Sequence, residues 1–133
     1  MSEVMNLYRC DNCGKIVEII EDGAGELVCC DVPMDKIEPK KDMPEMKEKH
    51  EPVLKQDENG NWYIIVGEVE HPMEETHYIT FIEAYSPDRK YTKRVFLKPG
   101  EKPILELDCT CNHLKAREYC NIHGLYEADL SKQ

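Results

Sequence analysis

Two groups of residues in this chain have the types and spacing that hold metal ions. Cys10-Asp11-Asn12-Cys13 sets two thiolates two residues apart, and Cys29-Cys30 supplies two more. Two intervening residues let a single turn bring both sulfurs to one ion. Adjacent cysteines are harder to use, because neighbouring residues of a strand point to opposite faces. Cys29 and Cys30 therefore reach one ion only if the backbone leaves strand geometry between them. Zinc and iron both accept four thiolates, and the spacing does not choose between them. The second group is His50, then His71 and His77 bracketing Pro-Met-Glu-Glu-Thr, then Cys120-Asn121-Ile122-His123-Gly124. A lone histidine is more often a surface or hydrogen-bonded residue than a ligand. Four histidines and a cysteine, each in a turn-like setting, point to a second metal centre.

The cysteine count supports ligation over cross-linking. Seven cysteines is an odd number, and the first residues, MSEVMNLYRC, show neither the basic start nor the apolar stretch of a secretory signal. Thiolate ligands in a cytoplasmic protein are the expectation. No apolar run approaches the ~20 residues of a spanning helix. The formal net charge is −10, from 17 basic and 27 acidic side chains. Such a surface repels phosphate backbones and anionic lipids, so nucleic acid and membrane are poor partners.

The elements that must position these ligands divide into two parts. Residues 1–38 carry short β-like runs at Leu7 to Arg9, Lys15 to Ile20 and Glu26 to Val28, broken by Gly14, Gly23 and Gly25. A unit this short lies near the ~40-residue limit below which a core alone rarely suffices, so a metal staple is expected. Residues 39–48 are charged and proline-containing, and read as a linker or edge segment. Residues 39–133 as a whole form the second domain. From Pro52 onward the pattern is β, with candidate strands at Pro52 to Lys55, Asn61 to Val69, His77 to Tyr85, Tyr91 to Leu97, Pro103 to Asp108, Leu114 to Cys120 and Leu125 to Ala128. About seven short strands separated by turn signals predict an all-β sandwich. Leu114 to Tyr119 could instead be a helical turn, since Ala116, Arg117 and Glu118 favour helix.

The motifs Cys10-x-x-Cys13, Cys29-Cys30, EKH at 48–50, HPMEETH at 71–77 and CNIHG at 120–124 closely resemble those of desulfoferrodoxin, the two-iron form of superoxide reductase. The resemblance spans nearly the whole chain. It implies a small desulforedoxin or rubredoxin-like domain in which Cys10, Cys13, Cys29 and Cys30 hold one iron. It implies an immunoglobulin-like sandwich in which His50, His71, His77 and His123 are equatorial ligands of a second iron and Cys120 is its axial thiolate. Glu48 would occupy the sixth position in the oxidised state, and Lys49 would stand beside it. The implied reaction is one-electron reduction of superoxide to hydrogen peroxide, with the iron re-reduced by rubredoxin. The implied assembly is a homodimer.

Other readings predict different behaviour. A two-iron electron carrier without substrate would show no spectral response to azide or cyanide. A zinc-stabilised binding module would be colourless, and gives no reason for four histidines and a thiolate around one ion. Cys109 and Cys111 match no ligand of the family; two apart on a probable strand they share a face, and buried free thiols are the expectation. His113 is expected in a loop, and Trp62 with Ile64 and Val66 in the core.

Overall fold

A computed structural model describes residues 4–40, 49–67 and 71–132 of the chain. The chain forms two compact units, Met1–Glu38 and Pro39–Gln133. The described residues form twelve strands and no complete helix.

The first unit has five short strands, β1 (Leu7–Arg9), β2 (Ile16–Glu18), β3 (Val28–Cys29), β4 (Val32–Pro33) and β5 (Asp35–Lys36). They make an antiparallel sheet in the order β2-β1-β5 and a separate β3-β4 ribbon. Among its described residues the only buried hydrophobic side chains are Leu7 and Cys10. That is too little apolar burial to order so short a chain, since fixing each residue's backbone costs roughly 1–2 kcal/mol.

The second unit is the sandwich. One sheet has the order β10-β7-β6, from β6 (Pro52–Gln56), β7 (Trp62–Val66) and β10 (Ile104–Glu106). The other has the order β12-β11-β8-β9, from β8 (Ile79–Tyr85), β9 (Thr92–Phe96), β11 (His113–Cys120) and β12 (Gly124–Ser131). Seven strands divided three and four is the immunoglobulin-type arrangement. The core between the sheets is Ile64, Val66, Ile79, Ile82, Ala84, Leu97, Leu105, Ala116 and Cys120. Trp62 lies half-buried at the start of the same β7 face. The turn at Asn59-Gly60 forms with Gly60 at φ 88°, and Asp57 Oδ1 accepts the backbone N–H of Asn59 and of Asn61, each at 2.9 Å.

Several boundaries differ from the sequence expectation: His113, expected in a loop, opens β11, and β12 runs on to Ser131 because the two strands pair along their whole length. Residues 114–119 are strand, because Leu114, Ala116, Glu118 and Cys120 alternate inward at period two, and burial of that face outweighs a local helix preference. The segment carrying Cys109 and Cys111 is irregular, since β10 ends at Glu106, and both thiols are half-buried rather than in the core.

The outer face of the four-stranded sheet carries a row of charge. Glu83 on β8 stands opposite Arg94 on β9 and Arg117 on β11. It pairs with both guanidinium groups, and Arg117 Nε donates to Glu83 Oε1 at 2.5 Å. Glu83 is fully buried and Arg117 nearly so. Breaking a buried pair by removing one partner strands a charge and costs ~3–5 kcal/mol, whereas replacing the group with apolar side chains can be neutral. Glu83→Leu alone should therefore lower the stability of the sandwich by ~3–5 kcal/mol in urea unfolding, and adding Arg94→Met and Arg117→Met should recover most of the loss.

Two candidate metal centres

The first centre is built from two turns. Cys10 closes β1 and Cys13 follows in a tight loop: Gly14 N–H donates to Cys10 O at 2.8 Å, and Cys10 N–H donates to Lys15 O at 2.9 Å. Gly14 sits at φ 82°, which glycine adopts without cost. The adjacent cysteines are separated by a departure from strand geometry. Cys29 ends β3, while Cys30 and Asp31, at φ 54° and 62°, form a two-residue turn into β4. Both central residues at positive φ define a type I′ hairpin turn, here made without glycine. The turn swings the Cys30 side chain round to join that of Cys29.

The four sulfurs lie within 4.8 Å of one another. Cys13 Sγ to Cys29 Sγ is 3.7 Å, and Cys29 Sγ to Cys30 Sγ is 3.9 Å. Thiolates ~2.3 Å from a common ion at tetrahedral angles are ~3.8 Å apart, so the spacing fits one. The backbone N–H of Cys13 is the main influence on Cys10 and holds its thiol down to about 7. Donating hydrogen bonds to Cys10 and then to Cys13 pushes the Cys29 thiol up to about 12. Four thiols so close share protons unequally, and a cation would release them.

The second centre gathers at one end of the sandwich. His50 precedes β6, His71 and His77 lie between β7 and β8, Cys120 ends β11, and His123 sits in the β11-β12 turn. Gly124 closes that turn at φ 93°. Cys120 faces inward by the alternation of β11, and the register shift between Tyr119 and Cys120 leaves an extra residue, Thr80, on β8, a common place for a bulge beside a site. The loop from 71 to 77 is held by reciprocal backbone bonds between Glu74 and His77, at 2.9 and 3.1 Å.

The four imidazoles form a closed square. Ring centroids are 4.6 Å apart for His50 and His71, 4.9 Å for His71 and His77, 5.0 Å for His77 and His123, and 4.7 Å for His123 and His50. Every neighbouring pair meets edge to face. His71 donates from Nδ1 to Pro72 O at 2.6 Å, which leaves its Nε2 lone pair directed at His50 Nε2, 3.0 Å away. Two nitrogens ~2.1 Å from one ion at a right angle are ~3.0 Å apart. His77 Nε2 is buried without a hydrogen-bond partner, a costly state for a polar atom unless a cation takes it. Cys120 Sγ lies 3.7 Å from His123 Nδ1. All five donor atoms fall within 4.8 Å of one another. The residues fit a metal that accepts imidazole and thiolate, a set suited to iron.

The profile of the desulfoferrodoxin family matches residues 42–129, and that of the desulfoferrodoxin N-terminal domain matches residues 2–37. The chain belongs to the desulfoferrodoxin family. It is 46% identical over 128 residues to a desulfoferrodoxin homolog of Archaeoglobus fulgidus, covering 96% of this chain and 99% of that one. It is 43% identical over 129 residues to the desulfoferrodoxin of Nitratidesulfovibrio vulgaris, covering 97% and 99%. Its fold is similar to that of the superoxide reductase of Treponema pallidum, with TM-score 0.69 at 20% identity over 96% of this chain and 99% of that one. The one-iron superoxide reductase of Giardia intestinalis superposes with TM-score 0.52 at 31% identity, over 65% of this chain and all of that one.

Within this desulfoferrodoxin the ligands are held by residues that sequence reasoning passed over. Asn121 ties the β11-β12 turn to the histidine loop: its Oδ1 accepts Tyr78 N–H at 2.9 Å and its Nδ2 donates to Thr76 O at 3.1 Å. Its place inside CNIHG was the available signal. Tyr126 stacks on His50 with centroids 4.5 Å apart and planes 16° apart, and no local pattern marks it. Glu118 is two residues before Cys120 on the same inward face, fully buried, with neither carboxyl oxygen hydrogen-bonded. Burial pushes its carboxyl well above the usual range, which favours the neutral acid. Burial also pushes the Cys120 thiol up, while the N–H groups of His123 and Ile122 oppose it. Lys49 is exposed beside buried His50. Glu48 lies outside the described residues, and so do most of residues 39–48.

Burial, opposed by the bond to Pro72 O, lowers His71 from 6.5 to about 4 and keeps it neutral. The folded chain thus binds this proton less readily than the unfolded one. The stability contributed is whole above pH 6.5 and is lost as pH falls toward about 4. Metal-free protein should lose up to ~1.4 kcal/mol per pH unit through that window. Urea midpoints across a pH series should show it, and His71→Gln should show a shallower fall.

Proposed function

We propose that the chain is a superoxide reductase whose second unit, residues 39–133, carries the reaction and whose first, residues 1–38, holds a separate iron. The observation that carries the reading is the closed square of four imidazoles with one thiolate beside it. Five donors are one fewer than an octahedral ion takes, and a site with a free position is catalytic rather than structural. Iron held there supplies one electron to superoxide, which leaves as hydrogen peroxide after taking two protons, and an external donor of the rubredoxin type restores the ferrous state.

The chain's own residues do the rest. Four neutral imidazoles and a thiolate carry one negative charge between them, so a divalent ion keeps a net positive charge that attracts an anion into an acidic protein. The Pro72 carbonyl holds the His71 tautomer that leaves Nε2 free, a support that ligating histidines usually need. Cys120 would hold the iron together with the four imidazoles, and as a thiolate it would supply electron density that favours release of the product. Lys49 places an exposed cation beside His50, and Glu48 would supply a carboxylate for the free position of the oxidised iron. The exposed apolar side chains Ile20, Val28 and Val32 of the small unit support pairing with a second copy. We place the protein in the cytoplasm as a homodimer.

Natively expressed protein should contain about two irons per chain, and the ferric centre should shift its visible spectrum with azide or cyanide. Zinc at both centres, or no response to either anion, would sink the reading. Cys13→Ser should weaken or empty the first centre while the loaded second centre still reacts with superoxide. Cys120→Ser should abolish both the sulfur-to-iron absorption and rapid turnover. Lys49→Ala should slow the bimolecular step with superoxide by about tenfold and flatten its dependence on ionic strength. Pulse radiolysis across a salt series measures both, and unchanged rates and slopes would remove Lys49 from the mechanism.

A further inference from the structure

β11 ends at Cys120 and β12 opens at Gly124, and these two residues pair, so residues 121–123 form a hairpin loop. Gly124 supplies the positive φ, 93°, that closes such a loop. The loop delivers two ligands, Cys120 just before it and His123 at its end. It also takes the main chain away from the segment that leads into β8. Cys120 pairs with Ile79, so the next partners along the ladder are Asn121 with Tyr78 and His123 with Thr76. Asn121 N–H donates to Tyr78 O at 3.1 Å. A regular antiparallel ladder would go on with the carbonyl of residue 121 accepting from Tyr78 N–H. The N–H of residue 123 would then donate to the Thr76 carbonyl.

The side chain of Asn121 makes both of those bonds instead. Its Oδ1 accepts Tyr78 N–H at 2.9 Å, and its Nδ2 donates to Thr76 O at 3.1 Å. A carboxamide carries the same carbonyl and N–H groups as a peptide unit, and asparagine commonly uses them to satisfy nearby backbone. Here it takes the place of the ladder's next peptide groups while the main chain turns. Asparagine is specified by chemistry and by length. Aspartate offers no donor to Thr76 O, and glutamine adds a methylene that moves both groups.

These bonds bear on one ligand in particular, because Thr76 and Tyr78 flank His77. Pro72 O anchors the ring of His71, and Tyr126 stacks on that of His50. His77 Nε2, by contrast, is buried without a hydrogen-bond partner. Main-chain bonds place His77: the reciprocal pair with Glu74, and the Asn121 bonds to the residues on either side of it. We propose that Asn121 is a positioning residue of the second centre, its carboxamide acting as a substitute peptide that fixes His77 relative to Cys120 and His123. The proposal rests on the metal centre of the superoxide reductase reading and not on the reaction.

The test uses full-length protein with both centres loaded with iron. Asn121→Ala should release second-centre iron to a chelator about tenfold faster, the low end for losing a group that supports a metal ligand. Release from the first centre should stay as in the unaltered protein. Displacing one imidazole of the square should also raise the rhombicity of the ferric second centre in electron paramagnetic resonance. Asn121→Asp keeps the acceptor for Tyr78 N–H and loses the donor to Thr76 O, so it should load and release iron at an intermediate rate. Ser86→Ala is the control for a merely structural loss. It removes two side-chain bonds, one to Asp88 Oδ1 at 2.6 Å and one from Tyr91 N–H at 3.1 Å. Those bonds lie just past the other end of β8, ~23 Å along the strand from Ile79, and the control should leave both readouts unchanged. Unaltered release and rhombicity in both Asn121 variants, or equal changes in Ser86→Ala, would overturn the proposal. Neither readout uses superoxide, so a chain that holds both irons without reducing superoxide would still decide it.

Discussion

Everything in the second unit serves the convergence of five donor atoms that repel one another unless a cation lies between them. Two imidazole nitrogens are brought to 3.0 Å at His50 and His71, and the buried His77 Nε2 has no hydrogen-bond partner, an unfavourable state as bare protein. The sandwich imposes that arrangement. Its strands deliver His50, the loop from 71 to 77, Cys120 and His123 to one end, and antiparallel pairing makes the end of one strand the beginning of its neighbour. The core beneath, with Ile64, Ile79 and Cys120 fully buried, fixes the strand ends firmly enough to hold ligands that would otherwise separate.

The small unit meets the same demand with fewer means. With few buried side chains it cannot impose ligand geometry by packing, so it uses backbone conformation: a glycine turn after Cys13 and a positive-φ turn at Cys30 and Asp31. Non-glycine residues in that region carry a cost of ~1–3 kcal/mol each. A bound ion offsets it, because the free energy of a structural metal site is folding free energy. The two units thus depend differently on metal: the first for its fold, the second for its chemistry.

Within the second unit two buried carboxyls are handled differently. The buried Glu83 is satisfied on both sides by arginines on neighbouring strands, whereas the equally buried Glu118 has no hydrogen-bond partner and is pushed toward the neutral acid. One carboxyl locks the outer face of a sheet. The other places a neutral acid two residues from the thiolate ligand, where a charge would raise the energy of Cys120. The contrast comes from what stands opposite each of them, since both residues are glutamates on central strands.

The ligand identities, the two-part organisation and the seven strands of the sandwich could be read directly from residue types, spacing and turn signals, because metal ligation needs particular atoms and strand burial imposes a period. Even the break in strand geometry at Cys29-Cys30 followed from the requirement that both sulfurs face one ion. Tertiary structure alone decided the rest. The helix preference of Ala116, Arg117 and Glu118 yields to burial of an alternating face. Cys109 and Cys111 leave the strand they would have continued and lie half-buried in irregular chain. Asn121, Tyr126 and the Pro72 carbonyl become supports of the ligands only because distant segments meet. The chain carries its ligands as local chemistry, but which way a ring faces, and whether a buried carboxyl keeps its charge, depends on neighbours that sequence distance conceals.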